Sequence, residues 1–384
     1  MGWPVVNAVG GPRERGRAYG AAARDRVHRS IELYDAIFRS YTGLAWADVR
    51  DRTGPFAEPI DRYDAQLLPE MEGIAEGAGV DAEDVLALNL RTEIMFGLDA
   101  RAARRGAREC TALCAGASAA VDGRLIHAQN WDWKPGARET CVLLVGVPHD
   151  RPAFVTLVEA GLLAKCGMNE AGIALTANAL TSSRDRGEPG VPFHAILRKT
   201  LTSPLLDEAS AAVTGAWRAS SANYLISSAS GAAVNLEAGP GGPDTVFATR
   251  DPRLAHANHF LWPDRPFKDL GRIDGEDSLR RQAVAETGLR QPADVEALAG
   301  VLRDHDGRPS SVCAHEDDDV APENDYVTVA SLIMRPDRGE LLVTRGNPCE
   351  QAYERVRVDD LVAEARAQAA SSGTGRGGST ASVV

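Results

Sequence analysis

No run of eighteen consecutive apolar residues occurs in the 384-residue chain, so no membrane-spanning helix is predicted. The opening Met-Gly-Trp-Pro-Val-Val lacks a charged segment followed by an apolar core, and Val6 stands where myristoylation wants Ser or Thr. No Lys/Arg stripe offsets the net charge of -12, which argues against a nucleic-acid partner. The one basic run, Arg101 to Arg108, reads as an exposed loop. Cys-x-x-Cys pairs, a G-x-x-x-x-G-K-[ST] loop, a strand-linked G-x-G-x-x-G and internal repeats are all missing. The six cysteines (Cys110, Cys114, Cys141, Cys166, Cys313, Cys349) are scattered, so buried thiols are expected rather than a disulfide framework. With 44% apolar residues the chain has ample material for a core, and the expectation is a soluble, cytoplasmic globular protein without membrane or nucleic-acid partners.

What the chain does contain is organised around Glu109 to Trp133. Asp122-Gly123 between two apolar runs predicts a tight hairpin in which Leu113 faces Asp132. Cys110 then lies three residues beyond that pair, about 10 Å along the strand, with a carboxylate at the same open end. Before it, residues 1 to 98 read as a short strand and several helices, including Leu67 to Ala78 ended by Gly79 and another started by Asp81 to Asp84. After it come strands at 111–121, 124–131, 140–147, 153–160, 172–178, 222–228 and 232–237, interrupted by helical spacing over 192–215. Two helices are predicted within 277–304, two strands joined by a turn within 326–345, a closing helix at 357–370 and a disordered tail over 371–384. Blocks of strands and helices without regular alternation predict an α+β fold of layered sheets covered by helices, not a Rossmann unit.

A cysteine nucleophile needs help, because the free thiol is mostly protonated at neutral pH. His127 falls opposite Ser118 in the hairpin, too far from Cys110 for a pair, and His256, His259 and His315 reach it only through the fold. A second route is to cut the bond before Cys110, so that its own α-amine, with a pKa near 7.7 to 8.0, becomes the base. That design wants an exposed linker before the nucleophile, a strand after it, a carboxylate and oxyanion donors; the basic linker 99–109, the strand at 111 and Asp132 meet the first three.

These residues resemble the isopenicillin-N acyltransferase-like family, self-processing N-terminal-nucleophile (Ntn) cysteine hydrolases related to penicillin V acylase and the bile salt hydrolases. The resemblance runs through Gly10, Gly16 and Gly20, E-M-E-G-I-A-E-G-A-G-V at 70–80, A-L-N-L-R-T-E at 87–93 and E-C-T-A at 109–112. It continues in A-Q-N-W-D-W at 128–133, G-M-N-E-A-G-I-A-L-T-A-N at 167–178, N-Y-L-I-S-S at 223–228, V-N-L-E-A-G-P at 234–240, H-A-N-H-F at 256–260 and D-S-L-R-R at 277–281, and in the regions of Cys313 and G-N-P-C at 346–349. It implies a four-layer αββα fold and a precursor cut at Glu109-Cys110 into a helix-rich fragment 1–109 and a core fragment from Cys110 through residue 370, both parts of one domain. Cys110 would be the nucleophile, Asp132 would hold its amine and thiol, and Asn258 would stabilise the oxyanion with Asn178 lining the same hole. Arg281 matches the family's late arginine best, with Arg280 one register away. Relatives of the bile salt hydrolase kind carry arginine where this chain has Gln129.

The expected activity is acyl transfer through an acyl-cysteine, from a small-molecule donor such as an acyl-CoA or an amide to an amine or to water. No cofactor or metal is called for, the two fragments are expected to stay associated, and a homo-oligomer is compatible with the sequence. The alternatives are a plain amidohydrolase, a non-maturing binding protein on the same fold, and a metal site from His256, His259 and the acidic run Glu316 to Asp319, which reads more naturally as a solvated loop.

Overall fold

The computed structural model describes residues 2–98, 110–273 and 276–374. The linker 99–109, Glu109 included, lies outside them. Runs rich in Val, Leu, Ile and Ala that are buried on both faces become central strands, as continuous apolar segments should. Among the described residues there are fourteen strands: β1 Val5–Val9, β2 Cys110–Ala115, β3 Ile126–Trp133, β4 Cys141–Val147, β5 Phe154–Glu159, β6 Cys166–Asn169, β7 Ile173–Ala179, β8 Ala222–Ser228, β9 Ala233–Ala238, β10 Val246–Thr249, β11 Arg253–His256, β12 Val327–Arg335, β13 Glu340–Val343 and β14 Glu354–Arg357. They form an eight-stranded sheet, β1-β4-β5-β6-β7-β8-β9-β10, and a six-stranded sheet, β11-β2-β3-β12-β13-β14.

The two sheets face each other across β2 and β7. Strand alternation sends Leu113 and Ala115 outward, where they pack with Ala285, Leu289, Leu298 and Leu302 of the helices Glu276–Gly288 and Val295–Leu302. Neighbouring positions point inward, and His127 of β3 reaches across to Thr176 Oγ1 and Ser227 Oγ at 2.8 Å each. Helices Phe193–Leu201 and Leu206–Thr214 cover β6 to β9 of the larger sheet. The result is the α+β arrangement of helix, sheet, sheet and helix layers.

The segment before residue 99 belongs to this same unit, because β1 pairs parallel with β4. Its helices Pro12–Ala22 and Leu67–Ala78 pack backbone to backbone, which explains their glycines: a Cβ on Gly16 would lie 2.1 Å from Glu70 O, and one on Gly77 2.2 Å from Arg17 O. Buried ion pairs then tie the segment to the rest of the chain. Glu70 accepts from Arg15 Nη2 at 2.6 Å and from Arg198 Nη1 and Nη2 at 2.8 and 2.9 Å, while Arg91 Nη2 lies 3.0 Å from Glu159 Oε2.

Several sequence expectations need correction. The tight hairpin at Asp122-Gly123 does not form; β2 stops at Ala115 because Gly116 N–H turns to Pro252 O, and Val121 N–H pairs with Ala293 O. Leu113 consequently faces Ala128 rather than Asp132, and Cys110 faces Trp131. The helical spacing over 192–215, by contrast, is met by two helices, Phe193–Leu201 and Leu206–Thr214. The closing helix runs from Val358 to Thr374, past the expected start of a disordered tail at 371. Strands β6, β10, β11 and β14, each of four residues, were too short to show a period.

Removing one partner of a buried ion cluster leaves the others uncompensated. Glu70→Ala should therefore lower unfolding free energy by about 3–5 kcal/mol in chemical denaturation. A change below about 1 kcal/mol, the range of surface pairs, would show that Glu70 does not tie the segments together.

Candidate active site

Cys110 is the first residue of β2 and is fully buried. Its neighbour on one side is β3, and on the other β11, where His256 pairs with Ala112. Asn258 follows β11 by two residues and is fixed from three sides: its N–H donates to Ser278 Oγ at 2.9 Å, its Nδ2 to Ala179 O at 2.9 Å, and its Oδ1 accepts from Arg281 Nη2 at 3.0 Å. That same Oδ1 accepts the Cys110 N–H at 2.9 Å. The Cys110 carbonyl accepts from Asn178 Nδ2 at 3.1 Å and from Arg281 Nη1 at 2.7 Å. Arg281 also reaches Thr111 Oγ1 at 3.2 Å. Three buried polar side chains from β7, the turn after β11 and the helix Glu276–Gly288 thus hold both backbone groups of one residue. Arg281 is buried, whereas Arg280 is exposed, so the geometry separates the two arginines that the sequence left a register apart.

Asp132 comes next to Cys110 through the corrected register, adjacent to Trp131 rather than about 10 Å away. Its side chain, however, lies on the Thr111 side of the sheet, with Oδ1 accepting from Thr328 Oγ1 at 2.7 Å. Oδ2 is buried with no hydrogen-bond partner among the described residues. The Cys110 amide therefore goes to Asn258, and one oxygen of Asp132 is left unused. Thr328 was invisible to sequence reading, since it sits in an alternating strand like any other threonine. Gln129, on the Cys110 face of β3, donates to Ala177 O at 2.9 Å and lies 3.3 Å from Asn178 Oδ1.

The histidines have other engagements. Burial pushes the His127 imidazole down to about 3, so it is a neutral bridge between the sheets. His256 places Nε2 2.7 Å from Glu237 Oε1 and Nδ1 2.9 Å from Ala257 O; His259 Nδ1 lies 2.8 Å from Ser278 Oγ. Neither belongs, among the described residues, to a group of three or more side chains that could hold a metal with the Glu316 to Asp319 run.

Residues 119–348, more than half of the chain, match the family described as acyl-coenzyme A:6-aminopenicillanic acid acyl-transferase. The chain belongs to this family. A curated relative, the acyl-coenzyme A:6-aminopenicillanic-acid-acyltransferase 40 kDa form of Emericella nidulans, is 28% identical over 311 residues, 80% of this chain and 84% of that one. Among solved structures, a mutant of the conjugated bile acid hydrolase from Clostridium perfringens is 12% identical with a TM-score of 0.42, covering 66% of this chain and 94% of that one. Penicillin V acylase from Agrobacterium tumefaciens is 14% identical with a TM-score of 0.37, covering 62% and 82%. Membership in the acyl-transferase family makes the chain an enzyme of acyl transfer. No helix among the described residues is long and apolar enough to cross a membrane.

For this acyl-transferase family member the electrostatics at Asp132 are distinctive. Burial raises its carboxyl to about 7, although Arg281, the Thr328 hydroxyl and Arg138 oppose the rise. The thiols of Cys114 and Cys166 are pushed up to about 12 by burial, and that of Cys141 well above its ordinary value. A folded-state value above the ordinary 3.8 means that the folded chain keeps the Asp132 proton where the unfolded chain has lost it. The contribution of Asp132 to stability thus falls as pH rises from about 4 to about 7 and is flat above. In a Cys110→Ala background, Asp132→Asn should remove that slope, so that the variant's Tm rises relative to the parent's between pH 4.5 and 7.5. A difference independent of pH would show that Asp132 is already ionised when folded.

Proposed function

We propose that this enzyme matures by cutting the bond before Cys110 and then works as a cysteine acyltransferase and amidohydrolase. The observation that carries the reading is the grip of Asn178, Asn258 and Arg281 on the N–H and carbonyl of Cys110. Any buried strand end needs partners for its backbone groups, but here they are side chains from three separate elements, which fix the position of the nitrogen that would serve as base. In maturation the Cys110 sulfur attacks the carbonyl of residue 109, the peptide nitrogen leaves as the new α-amine, and water hydrolyses the resulting thioester. The freed amine can then turn from Asn258 toward the unused Oδ2 of Asp132, an oxygen whose burial without a partner is otherwise costly.

In turnover the α-amine takes the thiol proton while sulfur adds to a thioester or amide carbonyl. The Nδ2 hydrogen that Asn258 does not give to Ala179 O donates to the oxyanion, with Asn178, whose Nδ2 holds the Cys110 and His256 carbonyls, lining the same hole. Collapse expels a thiol or amine that receives the proton. The acyl-cysteine then passes its acyl group to an amine or to water, and the incoming group's proton returns through the α-amine. An acyl-coenzyme A donor and an amine acceptor are the substrate classes the relatives suggest. The chain's acidic balance and free thiols suit the cytoplasm, where a thiol nucleophile stays reduced. The fragments on either side of the cut remain together through the Glu70 cluster and the β1 to β4 pairing.

The test is an acylation assay with an acyl-CoA thioester, with and without an added primary amine. Mass analysis should find the acyl group on the fragment that begins at Cys110, and Asn258→Ala should slow turnover by roughly 10²–10³-fold, as loss of an oxyanion donor does. Acid product alone with amine present would make it a pure amidohydrolase. Iodoacetamide labelling of Cys110 no faster than of Cys141 or Cys166 would sink the catalytic reading in favour of a binding protein.

A further inference from the structure

Far from Cys110 in sequence, four donor side chains meet on the outer side of the six-stranded sheet. His305 follows the helix Val295–Leu302, Cys313 and His315 lie in the loop before β12, and Cys349 in the loop after β13. Their ligand atoms all lie within 4.8 Å of one another. Cys313 Sγ is 3.6 Å from Cys349 Sγ and 3.6 Å from His315 Nε2; Cys349 Sγ is 3.4 Å from His315 Nε2, and His305 Nε2 is 3.1 Å from His315 Nε2. A tetrahedral zinc ion with bonds of about 2.3 Å to sulfur and about 2.05 Å to nitrogen separates its ligands by about 3.8 Å (S to S), 3.6 Å (S to N) and 3.4 Å (N to N). These four separations are within about 0.3 Å of those values. The two between His305 and the cysteines lie within 4.8 Å, so His305 has to move in by at most about 1.2 Å to complete the tetrahedron.

The surroundings have the character of a metal site too. Asn347 Nδ2 donates to Cys313 Sγ at 3.4 Å, the kind of N–H to sulfur contact that supports a thiolate. Glu350 Oε1 lies 3.6 Å from His315 Nδ1, so a carboxylate sits behind a histidine whose other nitrogen points at the cluster. Cys313 is buried while His305 and Cys349 are exposed, and a cleft of about 680 Å³ lined by Arg308, His315, Asn347 and Glu350 gives an ion a way in. The sulfurs, 3.6 Å apart, are not bonded to each other.

We propose that His305, Cys313, His315 and Cys349 bind one structural zinc ion. Two thiolates and two neutral imidazoles make the loaded site electrically neutral, and the thiols give up two protons to solvent as the metal enters. Four protein ligands leave no position open for a substrate or water, so the ion is a staple between loops and takes no part in turnover. The staple sits behind the active site: Ala314 N–H donates to Thr328 Oγ1 at 2.9 Å, Asn347 Nδ2 donates to Ala314 O, and Thr328 in turn holds Asp132. The site departs from the sequence expectation of no metal, and differs from the His256, His259 and Glu316 to Asp319 alternative in every ligand.

The experiment is elemental analysis of the full-length protein after gel filtration, with thiol counting alongside. About one zinc per chain is expected in wild type and equally in Cys110→Ala, which makes the result independent of maturation and acyl transfer. Cys349→Ser, a change at an exposed residue, should lower zinc occupancy roughly tenfold or more, as loss of one of four structural ligands does, whereas Cys166→Ser should leave it unchanged. Exchange into cobalt(II) should give the visible absorption of a tetrahedral thiolate complex. Zinc-free protein with six titratable thiols, a chain lighter by two hydrogens through a Cys313–Cys349 disulfide, or Cys349→Ser that keeps its zinc would each overturn the proposal.

Discussion

Both backbone groups of Cys110 are committed to side chains rather than to a continuing strand ladder, and much of the molecule exists to supply those side chains. Asn258 accepts the N–H, and Asn178 and Arg281 donate to the carbonyl. Hydrogen bonds of this kind gain little net energy in exchange for water, but a buried polar group left without one is expensive. The clamp therefore requires the sandwich to be complete. β7 must cross under β2 to bring Asn178, β11 must pair with β2 to bring Asn258, and the outer helix must pack on the Leu113 face to bring Arg281. The fully buried state of Cys110 is the outcome of all three.

The same arrangement distributes two chemical environments across one strand. On the inner face Cys110 shares its strand with Cys114, whose thiol burial pushes up to about 12. On the outer face Asp132 keeps its proton to about 7 because its surroundings are dry, even with Arg281 nearby. A carboxyl poised in that range, with one oxygen unpartnered, suits a group that waits for a positive charge. It is a natural partner for an α-amine released beside it, and a poor one for an amide nitrogen that has already found Asn258. In the proposed maturation, this asymmetry between the faces would let one residue be held by one set of groups before cleavage and by another afterwards.

Much of this was legible in the sequence, and the limits have physical reasons. Long strands with apolar patterning, the Leu67–Ala78 helix with Gly79 behind it, and the Pro336–Gly339 turn all read correctly because local rules decide them. The register of β2 on β3 did not, because Gly116 and Val121 make their bonds to Pro252 and Ala293, residues no local rule connects. For the site, Asn178, Asn258 and Arg281 could be named but not joined, since their convergence is a property of three separate elements. The His305, Cys313, His315 and Cys349 cluster escaped for the same reason: Cys349 is 36 residues from Cys313, with two strands between them. No ligand spacing of the usual metal-binding kind links them.

The central claim is that Cys110 is a chain end in the mature enzyme, and the intact mass of the purified protein tests it most directly. Wild type should give two fragments whose masses meet at the Glu109-Cys110 bond, with Cys110 as the N-terminal residue of the second, while Cys110→Ala should give one full-length chain. A wild-type chain that stays uncut and is nonetheless fully active would contradict the account.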